Sequence, residues 1–429
     1  MTAAPAAGQR WIGDPPPPIR RDRMVQAWAV AATISKVGDA CLTIALAWTA
    51  VQLLPPGPAG IVLGVATIPQ GLLMLVGGVL ADRIDTRRIL IAGALARVAI
   101  LAVAISVWVT GHQSGLVLAA MGLSFGSVAG LTFPAGSTLL RQLVRTEDLQ
   151  VGVGWVQLGG TLAFLAGAPL GGYIAASWGL VTAMIVDAAT FAVITATLLF
   201  VIRPRIRLTR DTAEPWRKAL AGTVTYLRRD RTARGLVIAL FAPNIFLGPI
   251  ETLGLPLRIT QAGWPATWLG IAETTGAVAT VAGCLIALRL RGTRPAIRAF
   301  QILTIQGVGI ALIGVDSQPA VLTGMIAIGI TSGAASVLLS TAFQRAIDGR
   351  YLGRVSSVAQ IGDLLLLPAF TPAFGYLTTI TSLVVAAAAF GAGMTALSLR
   401  CATLPSLATP SDEHVAGAQS TRPAGANSS

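Results

Sequence analysis

The sequence predicts an all-α integral membrane protein with twelve transmembrane helices, laid out as two parallel six-helix repeats. Three observations predict it. The 429 residues are 54% hydrophobic and only 11% charged, under half of the roughly 25% charge of an ordinary soluble domain. Apolar runs of spanning length recur along most of the chain. The basic residues gather in alternate loops.

A spanning helix needs about 20 apolar residues. Such runs lie near 24–54, 59–81, 89–110, 115–140, 151–175 and 179–202, and again near 235–258, 265–290, 296–315, 319–344, 354–379 and 381–401. The expected layout is an N-tail over 1–23, a six-helix bundle over 24–202, a central loop over 203–234 and a second bundle over 235–401. A polar tail over 402–429, rich in Ala, Ser, Thr and Pro, is expected to be disordered.

Of the 31 Lys and Arg residues, only Lys36, Arg97 and Arg258 lie outside the N-tail, 83–88, 141–145, 203–234, 289–298, 345–354 and the chain from 400 onward. Those segments share one side of the bilayer if the helices alternate direction. By the positive-inside rule that side is cytoplasmic. Both termini are then cytoplasmic, in a multi-pass protein of the cell membrane. The net charge of +13 is thus a topology signal, and no nucleic-acid partner is expected. Cys41, Cys284 and Cys401 sit in apolar runs and read as small core residues. His112 and His414 are too scattered for a metal site. No phosphate-binding loop or nucleophile elbow occurs, so neither an enzyme nor a cofactor is expected.

The chain repeats itself. Helices 5 and 11 align at a constant offset of 203, through Gln157/Gln360, Gly159/Gly362, Pro169/Pro372, Gly172/Gly375 and Tyr173/Tyr376. Helices 2 and 8 align at an offset of 206, through Gly64/Gly270, Gly77/Gly283, Arg83/Arg289 and Arg88/Arg294. Equivalent helices six spans apart run the same way, so the halves are parallel. Parallel halves with a midplane site between them describe a secondary transporter.

Two motifs carry a resemblance. Gly78-Val79-Leu80-Ala81-Asp82-Arg83, followed by Asp85, Thr86, Arg87 and Arg88, resembles the cytoplasmic loop 2–3 signature of the major facilitator superfamily. Asp85 and Thr86 replace the usual Gly and Arg. Gly78 is expected to let helices pack closely, and Asp82 to form a cytoplasmic charge latch with Arg354 as partner. Gly167-Ala168-Pro169-Leu170-Gly171-Gly172 is similar to the helix 5 motif of the family's antiporters, with Ala168 intervening. Gly159, Ala163, Gly167, Gly171 and Ala175 also form a ladder at spacing four, as do Gly122, Gly126 and Gly130, which suits close helix packing. Ser35 to Asp39, Arg97, Asp187-Ala188 and Gly353-Arg354-Val355 resemble the twelve-helix drug:proton antiporter branch that includes macrolide and enterobactin exporters. That branch implies proton-coupled export. The Arg-containing helix 4 motif of other drug antiporters is absent, since 115–140 carries no charge.

Charges inside spans are the remaining functional signal. Lys36, Asp39, Arg97, Asp187, Glu251, Glu273 and Asp363 each cost about 2.5–3.5 kcal/mol at a helix centre. The eight Val, Ile and Leu residues from Val30 to Leu53 return only about 2–5 kcal/mol. Helix 1 therefore needs partners for Lys36 and Asp39, whose i,i+3 spacing sets them on one inward face. Arg97 is expected to pair with Asp187. Helix 7, broken by Pro243, Gly248, Pro249 and Pro256, carries Glu251 on a face with Asn244. Asp39, Glu251, Glu273 and Asp363 are the proton-coupling candidates. Gln157, Gln360 and Asn244, with Trp48 and Trp155, are the cavity candidates.

The expected function is proton-coupled efflux of drug-like or amphipathic small molecules by alternating access, by a monomer in the lipid bilayer. A metabolite or siderophore transporter, working in either direction, remains an alternative. So does a non-transporting receptor or assembly protein of the same fold.

Overall fold

The computed structural model describes residues 9–11, 16–208, 225, 228, 231–290, 294–347 and 349–403. The side chains at 9–11, 82, 146, 206–208, 231–232, 345, 349–354, 356–361 and 363 lie outside that description. The helices, in chain order, are α1 (Arg23–Leu53), α2 (Pro56–Ala81), α3 (Thr86–Val109), α4 (Gly115–Leu143), α5 (Leu149–Ser177) and α6 (Gly179–Val201). The second half holds α7 (Ala233–Gln261), α8 (Thr267–Arg289) and α9 (Pro295–Ile313). It continues with α10 (Gln318–Ala346), α11 (Gly349–Ile380) and α12 (Leu383–Ala402).

Eleven of these are long and apolar enough to cross a membrane. The possible twelfth is α11, a 32-residue helix. Its apolar stretch is confined to Leu364–Ile380, because Arg350, Arg354 and Asp363 occupy its first half.

Helix starts follow their sequence. Asp22 caps α1 by accepting from the Met24 and Val25 amides, Asp85 caps α3 through the Arg87 and Arg88 amides, and Ser382 caps α12 through Val385. These side-chain oxygens satisfy amides that the first helical turn leaves without partners. Asp85, the departure from the loop 2–3 signature, is therefore a helix cap. Gly179 joins α5 to α6 at φ +75°, a left-handed conformation that costs glycine little.

One element departs from the all-helical expectation. Gln9–Trp11 and Ile206–Leu208 form a short antiparallel ribbon, joining the N-tail to the segment after α6. The tail is held further by an Asp22–Arg205 ion pair, by Arg145 donating to the Pro16 carbonyl and by the Ile19 amide donating to Asp148.

The repeat is visible in the packing. Within the first half α2 packs on α4, and α3 on α4 and α6; in the second, α8 packs on α10, and α9 on α10 and α12. Between the halves run two seams, α2 against α11 and α5 against α8. The α2–α11 seam is tight at the end away from the termini and opens toward them. A methyl added at Gly60 would lie 2.7 Å from the Thr371 carbonyl oxygen, one at Gly64 3.0 Å from Pro368 Cα, and one at Gly71 3.6 Å from Leu364. The α5–α8 seam closes at the same end, where Gly172 and Gly270 meet Ala266 and Pro169.

Candidate functional site

Between the halves, just inside the closed end, lies a cavity of about 560 Å³. That size falls within the roughly 300–1,000 Å³ of small-molecule sites. Asp39 and Thr43 of α1, Gln70 of α2, Arg97 of α3, Glu251 of α7 and Glu273 of α8 supply its polar wall. Phe125, Phe164, Met121 and leucines from both halves supply the rest. Three of the four proton-coupling candidates, Asp39, Glu251 and Glu273, thus face one space.

Local backbone explains the position of Glu251. Pro249 has no amide to donate, and the chain widens there into a π turn over Ile250–Gly254. Wide turns of this kind are uncommon and often mark functional sites. Asn244, seven residues back, lines neither this cavity nor the one described next.

Arg97 makes the central ion pair. Its guanidinium lies 3.1 Å from Asp39 Oδ1 and 3.4 Å from Oδ2. It lies against two rings that meet edge to face, 5.4 Å from the Phe125 centroid and 4.9 Å from that of Phe191, within the roughly 6 Å over which a cation and an aromatic face attract. The expected Arg97–Asp187 pair is therefore corrected to Arg97–Asp39. Asp187 is fully buried over Gly38 of α1, where it takes a long 3.4 Å hydrogen bond from Thr190. Its Oδ2 has no hydrogen-bond partner among the described residues.

Lys36 and Asp39 part company despite their spacing. Asp39 is drawn to Arg97 in the central cavity, whereas Lys36 lies along α5 and donates to the Val156 carbonyl at 3.4 Å. It lines a second cavity of about 400 Å³ within the first half. Gln157 lines that one too and not the central cavity. Trp48 is buried in the core, and Trp155 packs against the cluster at the start of α1.

The motif residues also sort by contact. Gly167 and Gly171 let α5 approach Val37, Ala40 and Cys41 of α1, while Pro169 and Gly172 face α8 across the seam. The helix 5 motif therefore serves two interfaces with its two faces. Gly122, Gly126 and Gly130 receive Ala66 and Gln70 of α2. Gly78 is a correction: a methyl there meets nothing within 4 Å, and the close approach belongs to Gly77, against the Gly130 and Leu131 carbonyls.

Arg87 is spent within the first half, donating to the Leu198 and Leu199 carbonyls at 2.6 and 2.7 Å. Those carbonyls belong to the last turn of α6, which ends at Val201 and leaves them without helical partners. Arg83 and Arg88 are exposed at the same end. The side chains of Asp82, Arg354, Gln360 and Asp363 lie outside those described.

Sequence reasoning missed Phe125, Phe164, Phe191 and Gln70. The first had a signal, since Gly122 and Gly126 already mark the inward face of α4 and Phe125 sits beside them. The others depend on helix rotation, which no short pattern records.

Two halves of six helices closing around a membrane-embedded, carboxylate-lined cavity define a multi-pass membrane transporter. The sequence signature of the Major Facilitator Superfamily matches residues 28–365, and the chain belongs to that family. Its fold and family are those of transporters, not enzymes, and imply a small-molecule substrate. The multidrug efflux pump Tap of Mycobacterium tuberculosis is 23% identical over 378 residues, covering 82% of this chain and 88% of the pump. The same pump of Mycobacterium bovis matches equally. In fold, the nucleoside transporter NupG superposes with a TM-score of 0.71 at 13% identity, over 88% of this chain and 98% of NupG. A bacterial homologue of the human lysosomal transporter Spinster, in an inward-facing unoccupied conformation, gives 0.65 at 14% identity, over 90% and 93%.

Proposed function

We propose that this chain is a proton-coupled exporter of drug-like or amphipathic small molecules, working by alternating access as a monomer in the cell membrane with both termini cytoplasmic. The observation that carries the reading is the central cavity, whose aromatic and aliphatic walls hold Asp39, Glu251 and Glu273. Apolar walls accept varied amphipathic bodies, while carboxylates inside a membrane protein mark ion and proton pathways. The 23% identity to a multidrug efflux pump points the same way.

In this reading the closed end faces away from the cytoplasm, and cargo enters from the side of the termini. Protonation of a cavity carboxylate favours one facing state, and the halves rock along the α2–α11 and α5–α8 seams. Asp82 and Arg354 form the latch of the opposite state.

The test is expression in an efflux-deficient bacterium, with accumulation and susceptibility measured across a panel of amphipathic compounds. Export that stops when the proton gradient is collapsed is expected. Asp39→Asn and Glu251→Gln are expected to abolish it while leaving membrane insertion intact. Wild-type export in both variants would sink the coupling assignment, and accumulation of compound instead of depletion would select uptake.

A further inference from the structure

The second cavity, of about 400 Å³, lies inside the first half toward the termini, between α1, α3, α4, α5 and α6. Its walls are mostly apolar, with Trp28, Phe133, Leu140 and Phe191 among them. Ser35, Thr132, Ser137 and Gln157 add neutral polar groups. The charges facing it are both positive: Lys36 from α1 and Arg97 from α3. No lining residue is acidic. The neighbouring acids are turned elsewhere, Asp39 into the central cavity and Asp187 into the packing over Gly38.

Lys36 is the unspent group. Among the described residues no carboxylate lies within ion-pair distance of its ammonium, which donates to the Val156 carbonyl at 3.4 Å. Lys36 itself is exposed along the cavity wall, so its ammonium is open to a ligand that enters the cavity. The central cavity has the opposite balance, with three carboxylates against the shared Arg97. The two spaces therefore favour ligands of opposite charge.

We propose that this second cavity is a binding site for a free amphipathic organic anion, with a carboxylate at Lys36 and its apolar tail between Trp28, Phe133 and Leu140. Arg97 is positioned to share the anion with Asp39, so occupancy of one cavity is felt in the other. The binding claim stands apart from what the central cavity exports.

The probe is dodecanoate, titrated by calorimetry against the purified full chain in phosphatidylcholine nanodiscs, with dodecylammonium and dodecanol as same-tail controls. Dodecanoate is expected to bind at least about tenfold more tightly than either control, as a charge-assisted hydrogen bond in a recess allows. Lys36→Met is expected to remove that preference and Lys36→Arg to keep it. Gly136→Phe tests the cavity without touching a charge, because a side chain there enters open space; it too is expected to weaken dodecanoate at least about tenfold. Equal binding of all three probes would overturn the proposal, as would dodecanoate binding that survives both Lys36→Met and Gly136→Phe. Nanodiscs containing phosphatidylglycerol are expected to leave the affinity unchanged. Strong competition there would overturn the free-anion assignment and give the cavity to a lipid headgroup.

Discussion

Replacing Gly270 by alanine places one methyl group where the two halves touch. That carbon would lie 2.6 Å from Pro169 Cα and 2.7 Å from the Ala168 carbonyl oxygen. Both are backbone atoms, so no side-chain rotation relieves the clash. The α5 backbone has little room to retreat, because Gly167 and Gly171 already hold it against α1. Overpacking of this kind costs about 1–3 kcal/mol. A conformer in which α5 and α8 have separated does not meet the methyl at all. Taking about 2 kcal/mol, the ratio of closed to open seams falls roughly thirtyfold. Spin labels at Gln113, in the α3–α4 turn, and at Ile380, which is 80% exposed, report the separation of the halves at that end. Pulsed-resonance distances in nanodiscs are expected to gain a longer population in Gly270→Ala. Gly78→Ala, with nothing within 4 Å, is the matched control. A folded Gly270→Ala with wild-type distances, or a control that shifts as far, refutes the seam argument.

Gly77→Ala is expected to lower thermal stability by about 1–3 kcal/mol through its contact with α4, while Gly78→Ala, which meets nothing within 4 Å, does not lower the melting temperature. Asp22→Ala removes the cap of α1, about 0.5–2 kcal/mol, and the partner of Arg205 as well. Faster hydrogen exchange confined to the N-tail and the start of α1 checks it. Asp39→Asn and Asp187→Asn are expected to be non-additive, because Asp187 packs over Gly38, the residue beside Asp39, and Phe191, one turn on from Asp187, lies against the Arg97 guanidinium that holds Asp39. A double-mutant cycle on thermal stability should give a coupling of about 0.5–3 kcal/mol, and strict additivity counts against the network.

Much of the architecture was legible because it follows from one-dimensional rules. Span length, the loops that hold arginine and the offsets of 203 and 206 depend on composition and spacing alone. The α5 ladder also declared itself, since small residues at spacing four mark a close approach whatever the partner. The pairing of Arg97 did not. Asp39 and Asp187 are both acids in neighbouring spans, and the choice between them rests on the rotation of α6, which turns Phe191 under the guanidinium and Asp187 toward Gly38. Lys36 and Asp39 show a related limit: a shared helix face does not ensure a shared cavity when one side chain is long and the other short. Gly78 shows a third, because Gly77 and Gly78 are indistinguishable until the facing helix is placed.

The repeat itself misleads at one point, and the reason is physical. By the offsets, Gly64 is equivalent to Gly270, Gly60 to Ala266, and Thr371-Pro372 to Ala168-Pro169. Identical seams would set Gly64 against Thr371-Pro372, as Gly270 is set against Ala168-Pro169. Instead Gly60 takes that position, and Gly64 lies against Leu367 and Pro368. The α2–α11 seam has slipped by four residues, about one helical turn or 6 Å at 1.5 Å per residue. The slip is open to α2 because Gly60 and Gly64 offer equivalent gaps one turn apart. It follows that the repeat alone misjudges the two glycines. With Ala266 as its equivalent, Gly60 looks replaceable by alanine, and Gly64 looks indispensable. The contacts reverse the order. A methyl at Gly60 would sit 2.7 Å from the Thr371 carbonyl oxygen, whereas one at Gly64 has 3.0 Å to Pro368 Cα. Gly60→Ala should therefore open the seam about as far as Gly270→Ala does, with Gly64→Ala the milder of the pair.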